Sequence, residues 1–253
     1  MAGWLIFQSA EAGIIIRNGL VHEFTCSRGD SLQGFIELEN PGTESQEVRI
    51  YQTDYQFDAD GKVFYPDPGS TPRSNAQWIE YYPQNLILPP KEKTIISLKI
   101  KIPWADSLAG TYWSMVMVEA PKAGESVAKE GMVSIKSVIR YGVQIITDLT
   151  EKGDALLKFN NVKIVSAESR KQLSLDVENV GNRQVTPNVM LKIFKPDGQS
   201  LDLAAKNRKR LFPGTSWRFD IELKDLPAGE YQSLLTADCG DKIFGMNLSL
   251  ILK

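Results

Sequence analysis

His22 is the only histidine in the 253-residue chain, so any Ser-His or Cys-His mechanism has to run through that one imidazole. Cys26 stands four residues on, and a strand would bring both side chains to one face as a pair of metal ligands. A pair does not complete the four ligands of a zinc site, and the sequence holds no second cluster of Cys or His. Asp58-Ala59-Asp60-Gly61 has the alternating oxygens and glycine that open a calcium loop, but it lacks the third acidic position and the distant Glu. It reads as a hairpin turn. No Gly-rich phosphate loop leads into a helix, no nucleophile elbow is present, and the remaining carboxylates are scattered. The expectation is a non-catalytic binding protein with no metal and no other cofactor.

Two groups of side chains are suited to binding. Lys206-Asn207-Arg208-Lys209-Arg210 is a basic run able to meet an anionic polymer, although such runs more commonly serve as solvated loops or guard an edge strand. Trp78, Tyr81, Tyr82, Trp104 and Trp113 all fall in the first half. Of these, Trp78, Tyr81 and Tyr82 follow a Pro-rich segment and form the candidate site for stacking on a cell-wall polymer or polysaccharide. Trp113, in a strongly apolar run, is expected in the core.

The elements that position these groups are strands. Short alternating runs are punctuated by Gly, Pro, Asn and Asp, with almost no sustained helical spacing. Val133, Ile135, Ile139, Tyr141, Val143 and Ile145 alternate with polar residues, as a strand with one buried and one wetter face requires. The composition, 42% hydrophobic and 24% charged, is that of a globular chain. A net charge of −2 gives no basic footprint for nucleic acid, and no apolar run reaches the roughly 18 residues that cross a bilayer.

Landmarks of the first half return in the second in the same order. Glu39-Asn40-Pro41-Gly42 reappears as Glu178-Asn179-Val180-Gly181, Asp60-Gly61 as Asp197-Gly198, and Leu88-Pro89-Pro90 as Phe212-Pro213-Gly214. Leu108-Ala109-Gly110-Thr111-Tyr112 is matched by Leu226-Pro227-Ala228-Gly229-Glu230-Tyr231. The last pair has the form of the tyrosine corner of sandwich domains. The expected fold is therefore all-β, with two tandem immunoglobulin-like β-sandwich domains over residues 13–147 and 155–253. The asparagines stand 139 residues apart and the tyrosines 119, so the first domain carries extra chain, placed at Pro66 to Pro83.

Residues 1–12 read as the remnant of a signal peptide. Gly3 to Phe7 is apolar, and Ser9-Ala10-Glu11-Ala12 ends in the small-x-small pattern that signal peptidase cuts, which makes Gly13 the first mature residue. An ordinary apolar first strand is the alternative. Export to the periplasm or beyond would permit a disulfide between Cys26 and Cys239, although nothing in the sequence brings them together; two thiols is the simpler state.

Residues 13 to 147 resemble the first domain of the periplasmic pilus chaperones. Ile36-Glu37-Leu38-Glu39-Asn40 with its turn carries the likeness, together with the Asp60-Gly61 hairpin, Leu86 to Pro90 leading into Ile95 to Ile100, Tyr112-Trp113, and Val118 to Pro121. The resemblance implies that the last strand of the domain, with Val133, Ile135, Ile139 and Tyr141, completes the unfinished sandwich of an exported pilus or surface subunit. It also implies that cations hold the subunit's terminal carboxylate, Arg140 being the residue most like the strand-borne one and Arg17 its possible companion. The longer Pro66 to Pro83 segment departs from that pattern. The turn, hairpin and corner are equally similar to two-sandwich bacterial surface proteins that bind peptidoglycan.

Overall fold

The computed structural model describes residues 13–121, 138–151, 153–167, 170–195, 198–223 and 226–252. The first half forms strands β1 (Ile15–Ile16), β2 (Val21–Cys26), β3 (Ser31–Glu39), β4 (Gln46–Thr53), β5 (Gln56–Phe57) and β6 (Val63–Phe64), then β7 (Ile79–Tyr82), β8 (Asn85–Leu88), β9 (Lys93–Lys101), β10 (Thr111–Pro121) and β11 (Val138–Leu149). The second forms β12 (Leu157–Ala167), β13 (Arg170–Asn179), β14 (Asn188–Phe194), β15 (Ser200–Ala204), β16 (Ser216–Glu222), β17 (Gly229–Asp238) and β18 (Ile243–Leu252). The expected all-β fold is the one adopted. Among the described residues the only helical turn is the short 3-10 turn Ala76–Trp78.

Two compact units result: residues up to Asp54 with Pro66–Ala105 and Tyr112–Thr147, and Tyr55–Tyr65 with Asp106–Thr111 and the chain from Asp148 onward. In the first unit a four-stranded sheet, β1-β3-β9-β7, faces a five-stranded one, β2-β11-β10-β4-β8. Period-two patterning builds its core: Ile96, Leu98 and Ile100 of β9 are buried while Lys93, Ile95, Ser97, Lys99 and Lys101 are exposed. Trp113 is fully buried, as its apolar run predicts.

The second unit pairs β12-β13-β16 with β15-β14-β17-β18. Leu173 and Leu175 of β13 stand opposite Ile221 and Phe219 of β16, and Leu191 of β14 opposite Leu235 of β17, all of them buried.

The repeated asparagine has the same work in each unit. Both side chains are fully buried. Asn40 Nδ2 donates to the carbonyls of Glu44 and Leu88, its Oδ1 accepts from Gly42 N, and its backbone pairs with Lys91 and Glu92. Asn179 repeats this with Arg183, Leu211, Gly181, Gly214 and Thr215. An amide with two donors and an acceptor closes the turn and ties it to the next strand connection. These bonds also correct the alignment of the repeats. Leu88 corresponds to Leu211 and not to Phe212, and Lys91, at φ 61°, corresponds to Gly214, at φ 78°.

The hairpin β5–β6, read from sequence as part of the first domain, packs in the second unit. Phe57 is buried with its ring 4.8 Å from Trp217 and 6.3 Å from Phe212. At the turn, Asp58 Oδ1 accepts from the amides of Asp60 and Lys62, so this carboxylate closes the hairpin. Asp60 then reaches Arg218 of β16 at 3.2 Å.

Tyr231 forms the expected corner, its hydroxyl donating to Pro227 O at 3.1 Å. Tyr112, in the matching place, instead sets its ring against Trp78 at 4.7 Å and under the Arg73 guanidinium.

Candidate partner-binding site

Strand β11 lies between β2 and β10 in the five-stranded sheet. It is twelve residues long and β2 only six, so β2 is too short to line all of it. The Gln144 amide donates to Leu20 O, the residue before β2, at 2.8 Å.

Burial along β11 is graded. On one face Thr147, Ile145 and Val143 are completely buried, whereas Tyr141 and Ile139, the next two in the row, are only half-buried. The inward-facing apolar row therefore loses its cover toward the start of the strand. Val133 and Ile135, which the sequence places further along the same row, lie outside the described residues, as do residues 1–12.

On the other face Arg140 is 61% exposed and its Nε donates to Glu119 Oε2 of β10 at 2.7 Å. Tyr51 Oη of β4 donates to the same oxygen at 3.1 Å. Burial and this hydrogen bond push the Tyr51 phenol up, since both favour the neutral form. Arg17 directly follows β1 of the other sheet, where its amide bonds Glu37 O and its side chain meets Glu39 at 3.3 Å. The two candidate cations thus sit beside different sheets, each already paired to a carboxylate, and Arg17 shares its Glu39 with Lys93.

Gly142 allows β11 to sit close to β10. A Cβ there would come within 2.8 Å of Met115 Sδ and 3.5 Å of Met117 Sδ. Glu119, Tyr51 and Gly142 were not singled out from the sequence, because only strand order reveals that β10 and β4 lie beside the Arg140 face.

Of the polymer-binding candidates, Trp78 stands apart from Tyr81 and Tyr82. Trp78 turns toward Tyr112, and Tyr81 and Tyr82, adjacent on β7, point to opposite sides of the sheet. Tyr81 is half-buried and burial pushes its phenol up. Tyr82 is 76% exposed and, with Tyr81, Phe35 and Ile95, lines a groove of about 530 Å³.

The basic run is already engaged: Lys206 pairs with Glu222 at 3.0 Å, Arg208 donates to Thr186 O, and Lys209 lies 4.8 Å above the Trp217 ring. His22 is half-buried, with Nε2 3.3 Å from Gly19 O; burial pushes its pKa down, against the pull of that carbonyl. Among the described residues no group of three or more His, Cys, Asp or Glu side chains is placed to hold a metal ion. Cys26 and Cys239 are both thiols.

No protein-family model and no curated protein matches the chain. Solved structures do. A chain from a complex described as a chaperone and tip adhesin in CFA/I fimbriae biogenesis superposes with a TM-score of 0.52 at 15% identity, covering 95% of this chain and 99% of that one. This protein has the pilus-chaperone-like immunoglobulin fold. The class 5 fimbriae chaperone CfaA gives 0.49 at 16% identity over 95% of this chain and 100% of its own. The CsuC-CsuE chaperone and tip subunit pre-assembly complex of Acinetobacter baumannii gives 0.46 at 13% over 93% and 98%.

Proposed function

We propose that this is an exported, non-catalytic chaperone that holds a pilus or surface subunit by lending it strand β11. The graded burial of that strand carries the reading. A row that is fully covered at Val143 and Ile145 but half-open at Tyr141 and Ile139 offers apolar side chains at alternate positions, as completion of another protein's sandwich requires. The two-sandwich fold, shared with a chain from a fimbrial chaperone complex, supports it. In this reading the subunit pairs along the part of β11 that precedes Gln144, Ile139 and Tyr141 fill its groove, and Arg140 exchanges Glu119 for a carboxylate of the subunit, with Arg17 as a second cation. A periplasmic location follows from the same role.

The test is co-purification from the native cell envelope under mild conditions, comparing the unaltered chain with Ile139→Asp and Arg140→Ala. The expected result is an exported subunit recovered in equimolar amount with the unaltered chain, lost with Ile139→Asp and reduced with Arg140→Ala. Equal recovery with all three chains, or recovery of wall material alone, would sink the proposal.

A further inference from the structure

Strand β18 forms an edge of the second unit and is unlike the other three edges. In β12 the ladder is broken by a bulge between Asn160 and Lys163; β16 carries Arg218, Asp220 and Glu222; β15 carries Asp202, paired to Lys192. Bulges and charges of this kind keep an open edge from pairing with another chain. Strand β18, Ile243 to Leu252, has neither. It pairs with β17 in unbroken register over ten residues and contains no charged side chain and no proline. Among the described residues no strand lies along its outer edge. At its ends Ile243 and Ile251 are 67% and 63% exposed, and Phe244, Met246 and Leu248 on the inward row are only half-covered.

We infer that β18 is a self-association edge, pairing antiparallel with β18 of a second copy about a two-fold axis at Asn247. The sequence of the strand selects a second copy. A two-fold through an antiparallel pair sets position 247 against itself, Gly245 against Ser249, and Ile243 against Ile251 of the second copy. On the other face Phe244 meets Leu250 and Met246 meets Leu248. Apolar therefore meets apolar, small meets small, and the one amide meets its own copy. Asp241, just before the strand, is paired to Arg183, and the carboxylates of β17 opposite Ile243 and Ile251 are Asp238 and Glu230. Across the joined sheet they stand three strand spacings apart, about 14 Å, which is beyond the screening length of physiological salt. The pairing would join two four-stranded sheets into one of eight and cover the half-open inward row.

The register makes a charge-exchange test possible, because positions 243 and 251 are far apart within one copy and face each other only between copies. Sedimentation of the full chain across a concentration series is expected to show a reversible dimer. Ile243→Lys with Ile251→Lys places like charges together twice and should weaken dimerisation about a hundredfold. Ile243→Lys with Ile251→Glu should restore it, with thermal unfolding of the monomer unchanged in both variants because the positions are exposed. A monomeric unaltered chain overturns the inference. So does a double-lysine variant that dimerises as before, or a Lys/Glu variant no more dimeric than the double lysine.

Discussion

Asn40 and Leu88, 48 residues apart in the chain, are joined by one buried hydrogen bond of 2.9 Å from the side-chain amide to the carbonyl. Asn179 and Leu211 repeat it at 3.0 Å. Removing either amide strands buried carbonyls, each costing about 1–3 kcal/mol. Asn40→Ala should therefore destabilise the first unit by about 3 kcal/mol and Asn179→Ala the second by a similar amount. Denaturant unfolding of the two variants and the double variant checks this, with the effects expected to add because the sites share no partner. A loss below about 1 kcal/mol would mean that water substitutes for the amide.

Asp54 is fully buried and its carboxylate accepts from Gly69 N, Thr71 N, Thr71 Oγ1 and Ser74 Oγ. One side chain thus organises the Pro-rich extra segment of the first unit. Asp54→Ala should open residues 66–74 to limited proteolysis and cost about 3 kcal/mol. An unchanged digestion pattern would show that the segment is held by other means.

Phe57 contributes more to the second unit than its position in the chain suggests. Phe57→Ala removes a ring packed on Phe212 and Trp217, which for a buried aromatic costs about 3–5 kcal/mol. Trp217 is the only tryptophan of the second unit, so its emission reports the loss directly if the other tryptophans are replaced by Phe. The expected outcome is a red shift at Trp217 and a lower unfolding midpoint for that unit.

Acid should weaken the second unit through Asp176. Burial alone would raise the pKa of this carboxyl, but hydrogen bonds from Arg218 and Asn161 outweigh burial and hold it below the usual carboxylate range. A group depressed in the folded state contributes its stability in full above its unfolded pKa, and loses it as the pH falls through the folded value. Unfolding midpoints measured downward from neutral pH should therefore fall more steeply below about pH 4 for the unaltered chain than for Asp176→Asn. Parallel profiles would remove Asp176 as the cause.

Much of this architecture is legible in the residues because turns and alternation are local. Asn40-Pro41-Gly42 and Asn179-Val180-Gly181 share one turn pattern, and the period-two runs fix which faces are buried. Where sequence and structure differ, the partners are distant in sequence. The offset of Leu88 by one position is visible only once the carbonyl that each asparagine bonds is known. The hairpin at Asp60-Gly61 is clear as a turn, yet its packing against Trp217 depends on a residue 160 positions away. Arg140 could be picked out as a cation on a strand, but its pairing with Glu119 required the order of strands. Tyr81 and Tyr82 are neighbours in the chain, and the strand pleat leaves Tyr81 half-buried and Tyr82 exposed at the same groove.

The dependence of Phe57 on Trp217 has a bearing on how the chain is made. A ribosome adding about 5–20 residues per second needs roughly 8–30 s to pass from one to the other. Through that interval the tip of the hairpin has been synthesised and the surface it will cover has not. Expressed alone, the first half would carry Phe57 with nothing to bury it, and the second half would expose Phe212 and Trp217, so cutting the chain between its two sequence repeats would damage both pieces.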